Sequence, residues 1–471
     1  MKKILLLAAP IAIGGWFFSP ASLGQTVSQK LQTAFQKFSN DTQLKHAISS
    51  LYVIDAKSGK VVFDKNSQIG LIPASTLKII TAATAFELLG KDYRFKTEFG
   101  VINGLRRSLY VKGSGDPTFG SWRWESTSEN SFLKRLRNAI VNANIDGLDN
   151  VLVSFGNNFD EPVVIPDGWI WQDIGNYYGA ASQGLNWREN QFDIILKSGK
   201  KIGDTVIVLE TRPRLYFYDQ LSIATAASKG SGDNAYIYLP VYPGIAGNTL
   251  TGIIKGTIPV SEDSFVISGS LTFPQEQFAA LLLDSLKNNF APGKRPKEYS
   301  FVESAHPDKI FYTEFSPALD SIIYWFLQKS INLYGEALVK TFAYEKTGMG
   351  AADSGISIIK NFWKQKGIDP NELIIGDGSG LSPQNRMTTH AQVEVLKYAK
   401  RQSWFSYFYD ALPEYNNMKM KSGTIKGAKG FTGYHTSKSG NDYIFSFLVN
   451  NYNGSPSALV KKMFTVLNVL K

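Results

Sequence analysis

The feature that most constrains this 471-residue chain is a serine and a lysine placed three residues apart at the start of an apolar helix. Ser75 and Lys78 lie in the string Pro73-Ala-Ser-Thr-Leu-Lys78, and residues 79–89 are almost all apolar or small. Residues three apart on a helix face each other, so the lysine amine can reach the serine hydroxyl. A partly desolvated lysine can accept the proton of a serine, so the pair supplies a nucleophile and a base without histidine.

The pair alone is weak evidence, because the chain contains four S-x-x-K strings, beginning at Ser75, Ser131, Ser198 and Ser357. The first is preceded by two predicted strands, at 51–55 and 61–63, and is followed by the apolar helix. In isolation such a serine more often caps a core helix than does chemistry. The downstream residues therefore decide between the two interpretations.

Two further short motifs follow far along the chain. Ser330-Ile331-Asn332 lies where one predicted helix passes to the next, within residues 318–342. Lys421-Ser422-Gly423-Thr424 follows a strand-like segment and precedes a predicted hairpin over residues 431–450. Between the first and second motifs, residues 98–300 are rich in short strands and turns, which predicts a mostly β insertion within a helix-and-sheet domain.

The N-terminus has the pattern of a secretory signal. Lys2 and Lys3 precede an apolar stretch from Ile4 to Phe18 that is broken by Pro10 and too short to favour a membrane span. We therefore expect cleavage after Gly24. The absence of cysteine excludes disulfides, thiol catalysis and cysteine-ligated metal, so an exported chain must be held together by burial alone.

The charge balance bears on location more than on chemistry. A net charge of +10 on an exported protein favours anionic envelope polymers, including peripheral association with the membrane or cell wall, and argues against nucleic acid as a partner. The C-terminal segment 457–470 is predicted to be a helix with an apolar stripe. Packing on a sheet is the favoured interpretation of that stripe, and a membrane-surface helix is the alternative.

The order of the three motifs resembles that of the penicillin-recognising serine acyltransferases. The long interval between Ser75 and Ser330 is similar to that of one branch, the D-alanyl-D-alanine carboxypeptidase/endopeptidase family (class C low-molecular-mass penicillin-binding proteins, peptidase family S13). Further segments resemble this family: Gly113-Ser-Gly-Asp116-Pro-Thr, Pro166-Asp-Gly-Trp169 through Asp173, Tyr178-Gly-Ala180, Asn190 and Asp377-Gly-Ser-Gly-Leu-Ser382. Ile331 and Ser422 depart from the residues that many relatives carry, but neither departure removes a catalytic functional group.

The resemblance implies an α+β, multi-domain fold. Its catalytic domain is expected to be a β-lactamase/DD-transpeptidase-like α/β/α sandwich, with an antiparallel sheet between helices and large inserted, mostly β domains. The expected division is given by residue ranges: 1–24 signal peptide, 25–97 and 299–471 penicillin-binding catalytic domain, 98–190 and 262–298 inserted α+β domain, and 191–261 nested β-rich insertion.

The resemblance also implies a serine D-Ala-D-Ala carboxypeptidase that acts on peptidoglycan stem peptides in the periplasm or outer cell envelope and is acylated by β-lactam antibiotics. It leaves open whether D-alanyl cross-links are cut as well. The implied catalytic roles are as follows: Ser75 is the nucleophile, Lys78 the base in acylation, Ser330 a proton relay to the leaving amine, Asn332 a holder of the substrate amide, and Lys421 a positive charge that helps to keep Lys78 neutral.

The third motif is expected to bind substrate. Ser422, Gly423 and Thr424 are the candidate substrate-binding residues there, with the two hydroxyls suited to the terminal carboxylate. By resemblance, the backbone N–H groups of Ser75 and Thr424 form the oxyanion hole.

Three acidic residues are expected to have roles outside the catalytic set. Asp173 matches an acidic residue that binds a free amino group on the stem peptide, and an equal alternative is a surface carboxylate or helix cap. Asp116 and Asp377 are expected to fix turns rather than to do chemistry.

Other functions stay open at this point. A β-lactamase or esterase on the same catalytic domain differs only in how fast the acyl-enzyme hydrolyses, and a non-catalytic envelope-binding protein is a third interpretation. The four histidines are scattered and no H-E-x-x-H or G-x-S-x-G string occurs, so no metal or cofactor is expected and a spatial Ser-His-Asp triad is unnecessary.

Overall fold

The computed structural model describes residues 25–154, 159, 164–216, 218–239, 250–287, 289–303 and 305–471. The predicted signal peptide, residues 1–24, lies outside these residues. Within them the α-helices are α1 (Val27–Ser39), α2 (Lys78–Leu88), α3 (Glu129–Asn142), α4 (Trp171–Ile174), α5 (Pro274–Leu286), α6 (Leu319–Gln328), α7 (Asn332–Thr347), α8 (Ala352–Gln365), α9 (Thr389–Ala399), α10 (Phe405–Ala411) and α11 (Pro456–Leu467).

The strands of the same residues are β1 (Ile48–Asp55), β2 (Val61–Lys65), β3 (Lys96–Ile102), β4 (Ser108–Gly113), β5 (Asn150–Ser154), β6 (Gln191–Ser198), β7 (Val206–Arg212), β8 (Tyr218–Ser222), β9 (Thr225–Ala227), β10 (Asn234–Tyr238), β11 (Leu250–Pro259), β12 (Phe265–Ser270), β13 (Glu298–Val302), β14 (Lys309–Phe315), β15 (Leu373–Ile374), β16 (Arg386–Met387), β17 (Glu414–Tyr415), β18 (Met418–Ile425), β19 (Ala428–Thr436) and β20 (Asp442–Asn450).

A six-stranded antiparallel sheet organises the two ends of the chain. Its order is β17-β18-β19-β20-β1-β2, so the N-terminal hairpin pairs with the last strand of the chain. β1 and β20 are buried along most of their length, as expected for strands covered on both faces. The sheet therefore joins segments that are about 400 residues apart in sequence, as the paired Ile48 and Asn450 show.

Helices cover both faces of this sheet. α2, α6, α7, α8, α9 and α10 share one hydrophobic core with residues such as Tyr52 and Ile444. α1 and α11 pack on the opposite face, where Leu31, Phe447 and Met463 belong to a second core. α11 is thus packed on the sheet, as the favoured interpretation of its apolar stripe predicted. The arrangement confirms the predicted α/β/α sandwich.

The inserted residues form a separate core of their own. The five-stranded sheet β13-β5-β4-β3-β14, the three-stranded sheet β12-β6-β7 and the sheet of β8 to β11 contribute to one apolar cluster with α3 and α5. β6 pairs with β12 across the predicted limit of the nested insertion at 261, so strand pairing does not separate 191–261 from its surroundings.

The return of the chain to the catalytic domain also differs from the predicted limit at residue 299. β13 pairs with β5 and β14 pairs with β3, so both strands belong to the insert. The chain rejoins the catalytic core with α6, whose Leu319 and Ile322 are fully buried there. The prediction was early because short β-strands carry no local mark of which sheet they join.

Among the described residues, no helix is both long enough and apolar enough to cross a bilayer.

Candidate active site

Ser75 lies in a tight turn rather than in the helix proper. A 3₁₀ turn over Ala74–Leu77 leads directly into α2, of which Lys78 is the first residue. The Thr76 hydroxyl donates to the Pro73 carbonyl at 2.7 Å, and Ala74 has a positive φ of 46°. Positive φ is unfavourable for alanine, so the surrounding structure must hold this conformation in place.

Two glycines let neighbouring segments press against this turn. A Cβ at Gly423 on β18 would lie 2.5 Å from the Pro73 carbonyl oxygen and 3.1 Å from the Ser75 nitrogen. A Cβ at Gly380 would lie 2.0 Å from the Ala74 carbonyl oxygen. The separations of 2.5 Å and 2.0 Å from the two carbonyl oxygens are shorter than real Cβ contacts. Only glycine at these two positions therefore allows β18 and the 377–382 loop to enclose the serine turn.

The Lys78 side chain is completely buried and makes three polar contacts. Its Nζ lies 2.6 Å from Asn332 Oδ1, 2.6 Å from the Ser379 carbonyl oxygen and 3.0 Å from Ser75 Oγ. The Asn332 amide is oriented by its other end, because Nδ2 donates to the Tyr178 carbonyl at 2.7 Å. The two 2.6 Å partners can only accept, and a neutral amine has two N–H groups to give them. Its lone pair is then left for the Ser75 hydroxyl.

Burial dominates the protonation of Lys78. It lowers the pKa of this amine from 10.5 to about 7, against the opposing effect of the nearby Asp377 and Glu336 carboxyls. Asp377 accepts from Gly380 N, Ser382 N, Asn385 Nδ2 and Trp169 Nε1, so its charge is already balanced by local donors. Glu336 accepts from Gly378 N at 3.0 Å and from the Ser379 side chain, and burial raises its pKa.

Lys421 is buried behind the cleft, close enough to Lys78 for the two charges to interact. Its Nζ donates to the Ser422 carbonyl at 2.8 Å. Burial, followed by the like charge of Lys78, lowers the pKa of Lys421 well below its ordinary value. The pKa of Lys78 itself is depressed chiefly by burial, so Lys421 is not needed to explain a neutral Lys78.

The second motif joins two helices. α6 ends at Gln328 and α7 begins at Asn332, and Ser330 between them has a positive φ of 58°. Within the described chain the Ser330 hydroxyl makes no hydrogen bond with Lys78 or Lys421. The predicted proton relay therefore stays a prediction.

A cleft of about 680 Å³ opens over these residues. Of the predicted site residues, Ser75, Ser330, Asn332, Thr424 and Asp173 line it. Lys78 and Lys421 are buried behind this lining. Ser422 is not among the residues that line the cleft, and its hydroxyl lies 3.4 Å from Tyr415 Oη on β17. No histidine is among the lining residues.

The far end of the cleft is built by the insert. Asp173 in α4 lies there with Tyr178, Tyr236 and Tyr238. Asp173 lies in the first turn of α4 and is not its N-cap residue, which is Ile170. Burial raises the pKa of Asp173, and a hydrogen bond from the Tyr178 side chain opposes that rise. Asp116, in contrast, accepts from the nitrogen and hydroxyl of Thr118 and so stabilises a turn.

Some contacts of the site were not found from sequence. The Ser379 carbonyl belongs to the 377–382 loop, which was noted only as a family-like string. The Tyr178 carbonyl has no sequence signal at all, since any residue supplies a carbonyl. Lys429, whose Nζ donates to Thr424 Oγ1 at 2.6 Å, was missed because the predicted hairpin strand began at residue 431 instead of Ala428.

The chain is similar to known proteins of one family. A model of the D-Ala-D-Ala carboxypeptidase 3 (S13) family matches residues 31–468. The D-alanyl-D-alanine carboxypeptidase of Actinomadura sp. (strain R39) is 25% identical over 452 residues, covering 89% of this chain and 80% of that protein. The D-alanyl-D-alanine carboxypeptidase DacB of Haemophilus influenzae is 21% identical over 419 residues, covering 84% and 83% of the two chains.

Solved structures show the same fold. The crystal structure of penicillin-binding protein 4 from Haemophilus influenzae has a TM-score of 0.78 and 18% sequence identity, covering 94% of this chain and 99% of that one. The same protein complexed with a β-lactam has a TM-score of 0.71.

Proposed function

Because this chain belongs to the D-Ala-D-Ala carboxypeptidase S13 family, we propose that it hydrolyses the terminal D-Ala-D-Ala bond of peptidoglycan stem peptides through an acyl-enzyme on Ser75. Family membership confirms the class predicted from the three motifs, a serine-type D-Ala-D-Ala carboxypeptidase. The observation that supports the residue assignment is the contact of a fully buried, near-neutral Lys78 with the Ser75 hydroxyl at 3.0 Å.

Acylation begins with proton transfer within this pair. The Lys78 lone pair takes the Ser75 proton as Oγ attacks the carbonyl carbon between the two D-alanines. Asn332 and the Ser379 carbonyl keep the other positions of the amine occupied, so the lone pair is aimed at Oγ. The resulting ammonium returns a proton to the leaving D-alanine amine, with Ser330 as the proposed relay. Water then hydrolyses the ester and regenerates Ser75.

β18 is the proposed docking edge for the peptide. Among the described residues, this strand pairs only with β19 from Lys421 onward, which leaves its outer edge for an extended peptide. Gly423 brings that edge against the serine turn, and the N–H groups of Ser75 and Thr424 are the proposed oxyanion hole. The Thr424 hydroxyl in the cleft is the proposed ligand of the terminal carboxylate.

Asp173 is proposed to bind a free amino group on the side chain of the stem peptide. It is a half-buried carboxylate at the end of the cleft that the insert forms, and the N-cap position of its helix is taken by Ile170. β-Lactams are proposed to acylate Ser75, since a family relative of the same fold is known in complex with one.

The proposed location is the periplasm or outer cell envelope, where peptidoglycan lies. Peripheral attachment to the membrane or cell wall is compatible with the net charge of +10.

Release of D-alanine from two stem pentapeptides tests the function. One peptide carries a free side-chain amine at the third position and the other carries the same amine acetylated. Wild type should prefer the free amine, Ser75→Ala should release no D-alanine, and Asp173→Asn should reduce the preference about tenfold, the value of one hydrogen bond to a charged group.

Release by Ser75→Ala would remove the nucleophile assignment. An unchanged preference in Asp173→Asn would remove only the amine-binding role. Rapid turnover of benzylpenicillin with no D-alanine release would favour the β-lactamase alternative.

A further inference from the structure

Lys429 is a lysine beside the active site that none of the three motifs includes. It lies on β19 directly opposite Thr424 of β18 in the antiparallel register. Its Nζ donates to Thr424 Oγ1 at 2.6 Å. Directly opposite residues of an antiparallel pair point to the same face of the sheet, so this contact follows from the register itself.

The charged environment of Lys429 contains no compensating carboxylate. The residue opposite it on β20 is Val449, and its cationic neighbour on β18 is Lys421. Its Nζ lies 4.9 Å from the centroid of the Phe431 ring, which itself packs against Tyr415 of β17 and Phe464 of α11. Among the described residues no acidic side chain forms an ion pair with it. Lys429 is not one of the residues that line the cleft, and it reaches the cleft through its bond to Thr424, which is one of them.

The chemistry of the contact sets the direction of the Thr424 hydroxyl. An ammonium group can only donate, so Thr424 Oγ1 must accept from it. The hydroxyl proton is then free to be donated elsewhere, and Thr424 lines the cleft where the peptide ends. A carboxylate is an acceptor only, so it fits this proton.

We propose that Lys429 is a positioning residue that turns the Thr424 hydroxyl toward the substrate carboxylate and adds a second positive charge to that of Lys421. This inference rests on the proposed function, since it requires Thr424 to bind the terminal carboxylate. It makes recognition of that carboxylate depend on a charge that lies one strand away from the three motifs.

The arrangement has a consequence for pH. Burial lowers the pKa of Lys429 to about 8. Above that pH the neutral amine can accept, the Thr424 hydroxyl can turn to donate to it, and the carboxylate loses both a donor and a charge. Because Lys78 must lose its proton near pH 7 to act as a base, acylation by a carboxylate-bearing substrate is expected to be greatest between these two values.

The experiment compares acylation of the full mature chain by benzylpenicillin and by its methyl ester, which lacks the carboxylate. Rates are measured by intact mass from pH 6 to 10. Lys429→Met should slow acylation by benzylpenicillin about tenfold and acylation by the ester less than twofold, because only the carboxylate uses the oriented donor. Lys429→Arg should keep the wild-type rate at pH 7.5 and retain it above pH 8, since arginine stays protonated.

The matched control is Lys438→Met. Lys438 is an exposed lysine in the turn between β19 and β20 and is not one of the residues that line the cleft. Its removal changes the net charge equally and should alter either rate less than twofold. In a Thr424→Val background, Lys429→Met should have a smaller effect, because the hydroxyl it orients is already absent and only its charge is lost.

Equal losses with both penicillins, or equal losses in Lys438→Met and Lys429→Met, would overturn the positioning role. Loss of the fall in rate above pH 8 in Lys429→Arg supports it, and an unchanged fall contradicts it. No acylation of wild type by benzylpenicillin would instead be a failure of the proposed function, so the two failures are distinguishable.

Discussion

Lys78, the proposed base, is a buried amine whose protonation is set by its surroundings. Lys78 has no exposed surface, and its burial outweighs the two acidic residues that favour its charged form. Asp377 accepts from four donors, whereas Glu336 accepts from Gly378 N and from the Ser379 side chain. Neither carboxyl restores the ordinary pKa of Lys78, so a substantial fraction of the amine is neutral at physiological pH.

The pH dependence of acylation follows from this protonation. The active form of Lys78 is neutral, and neutral lysine predominates above its pKa of about 7. The rate of acylation should therefore rise with pH through 7 and fall about tenfold for each unit below 6. Lys78→Arg should lose about 10²- to 10⁴-fold at every pH, because arginine cannot act as a base.

A stopped-flow or intact-mass time course with benzylpenicillin measures both effects. An acylation rate independent of pH between 5.5 and 7.5 would show that Lys78 is not the base. Substantial acylation of Lys78→Arg would show the same.

At the level of elements, the serine turn is held between β18 and the 377–382 loop. Their glycines, Gly423 and Gly380, leave no room for a Cβ against the turn. The unfavourable positive φ of Ala74 is maintained by this enclosure. The reactive position of Ser75 is therefore a property of three segments that are distant in sequence.

Gly423→Ala tests that enclosure. The new Cβ would lie 2.5 Å from the Pro73 carbonyl oxygen, so β18 must move away from the turn and the proposed oxyanion hole must widen. Acylation by benzylpenicillin should fall about 10²- to 10³-fold, the effect of losing one oxyanion donor. Gly293→Ala, where nothing lies within 4 Å, is the matched control and should acylate normally.

A folded Gly423→Ala protein with the wild-type acylation rate would contradict this account of the turn. Circular dichroism and thermal unfolding of both variants would separate a local shift of β18 from loss of the fold.

Several elements around the site could be predicted from the sequence. Local signals located α2, the passage from α6 to α7 around Ser330, and the strand of the third motif, because each has its own hydrophobic period or turn residues. The same signals placed Lys421 after a strand, whereas β18 runs through the motif to Ile425. Because the end of β18 was predicted too early, the pairing of Thr424 with Lys429 was not predicted. That pairing depends on where the turn at Gly427 begins.

At the level of the whole molecule, the insert is joined to the catalytic domain by buried polar contacts next to the cleft. Glu189 accepts from Tyr334 of α7, from Ser121 and from Arg123, and is itself almost fully buried. Trp169 donates to Asp377 of the catalytic loop at 3.0 Å. The insert therefore completes the cleft and fixes the position of Asp173 relative to Ser75.

These long-range contacts explain what the sequence could not predict. The motifs predict the roles of Ser75, Lys78 and Asn332 from their residue types and their order. They do not specify that the Tyr178 carbonyl of the insert would orient Asn332, because backbone contacts between distant segments carry no residue signature. The limit at 299 failed for a related reason, since β13 and β14 acquire their sheet only through pairing.

The central claim is that this chain forms an acyl-enzyme on Ser75. The most direct measurement is the intact mass of the mature protein after incubation with benzylpenicillin, beside the Ser75→Ala variant, followed by peptide mapping of the adduct. We expect the addition of one penicillin to the wild type alone, on the peptide that contains Ser75. An equal adduct on Ser75→Ala, or none on a folded wild type, would contradict it and return the envelope-binding interpretation to first place.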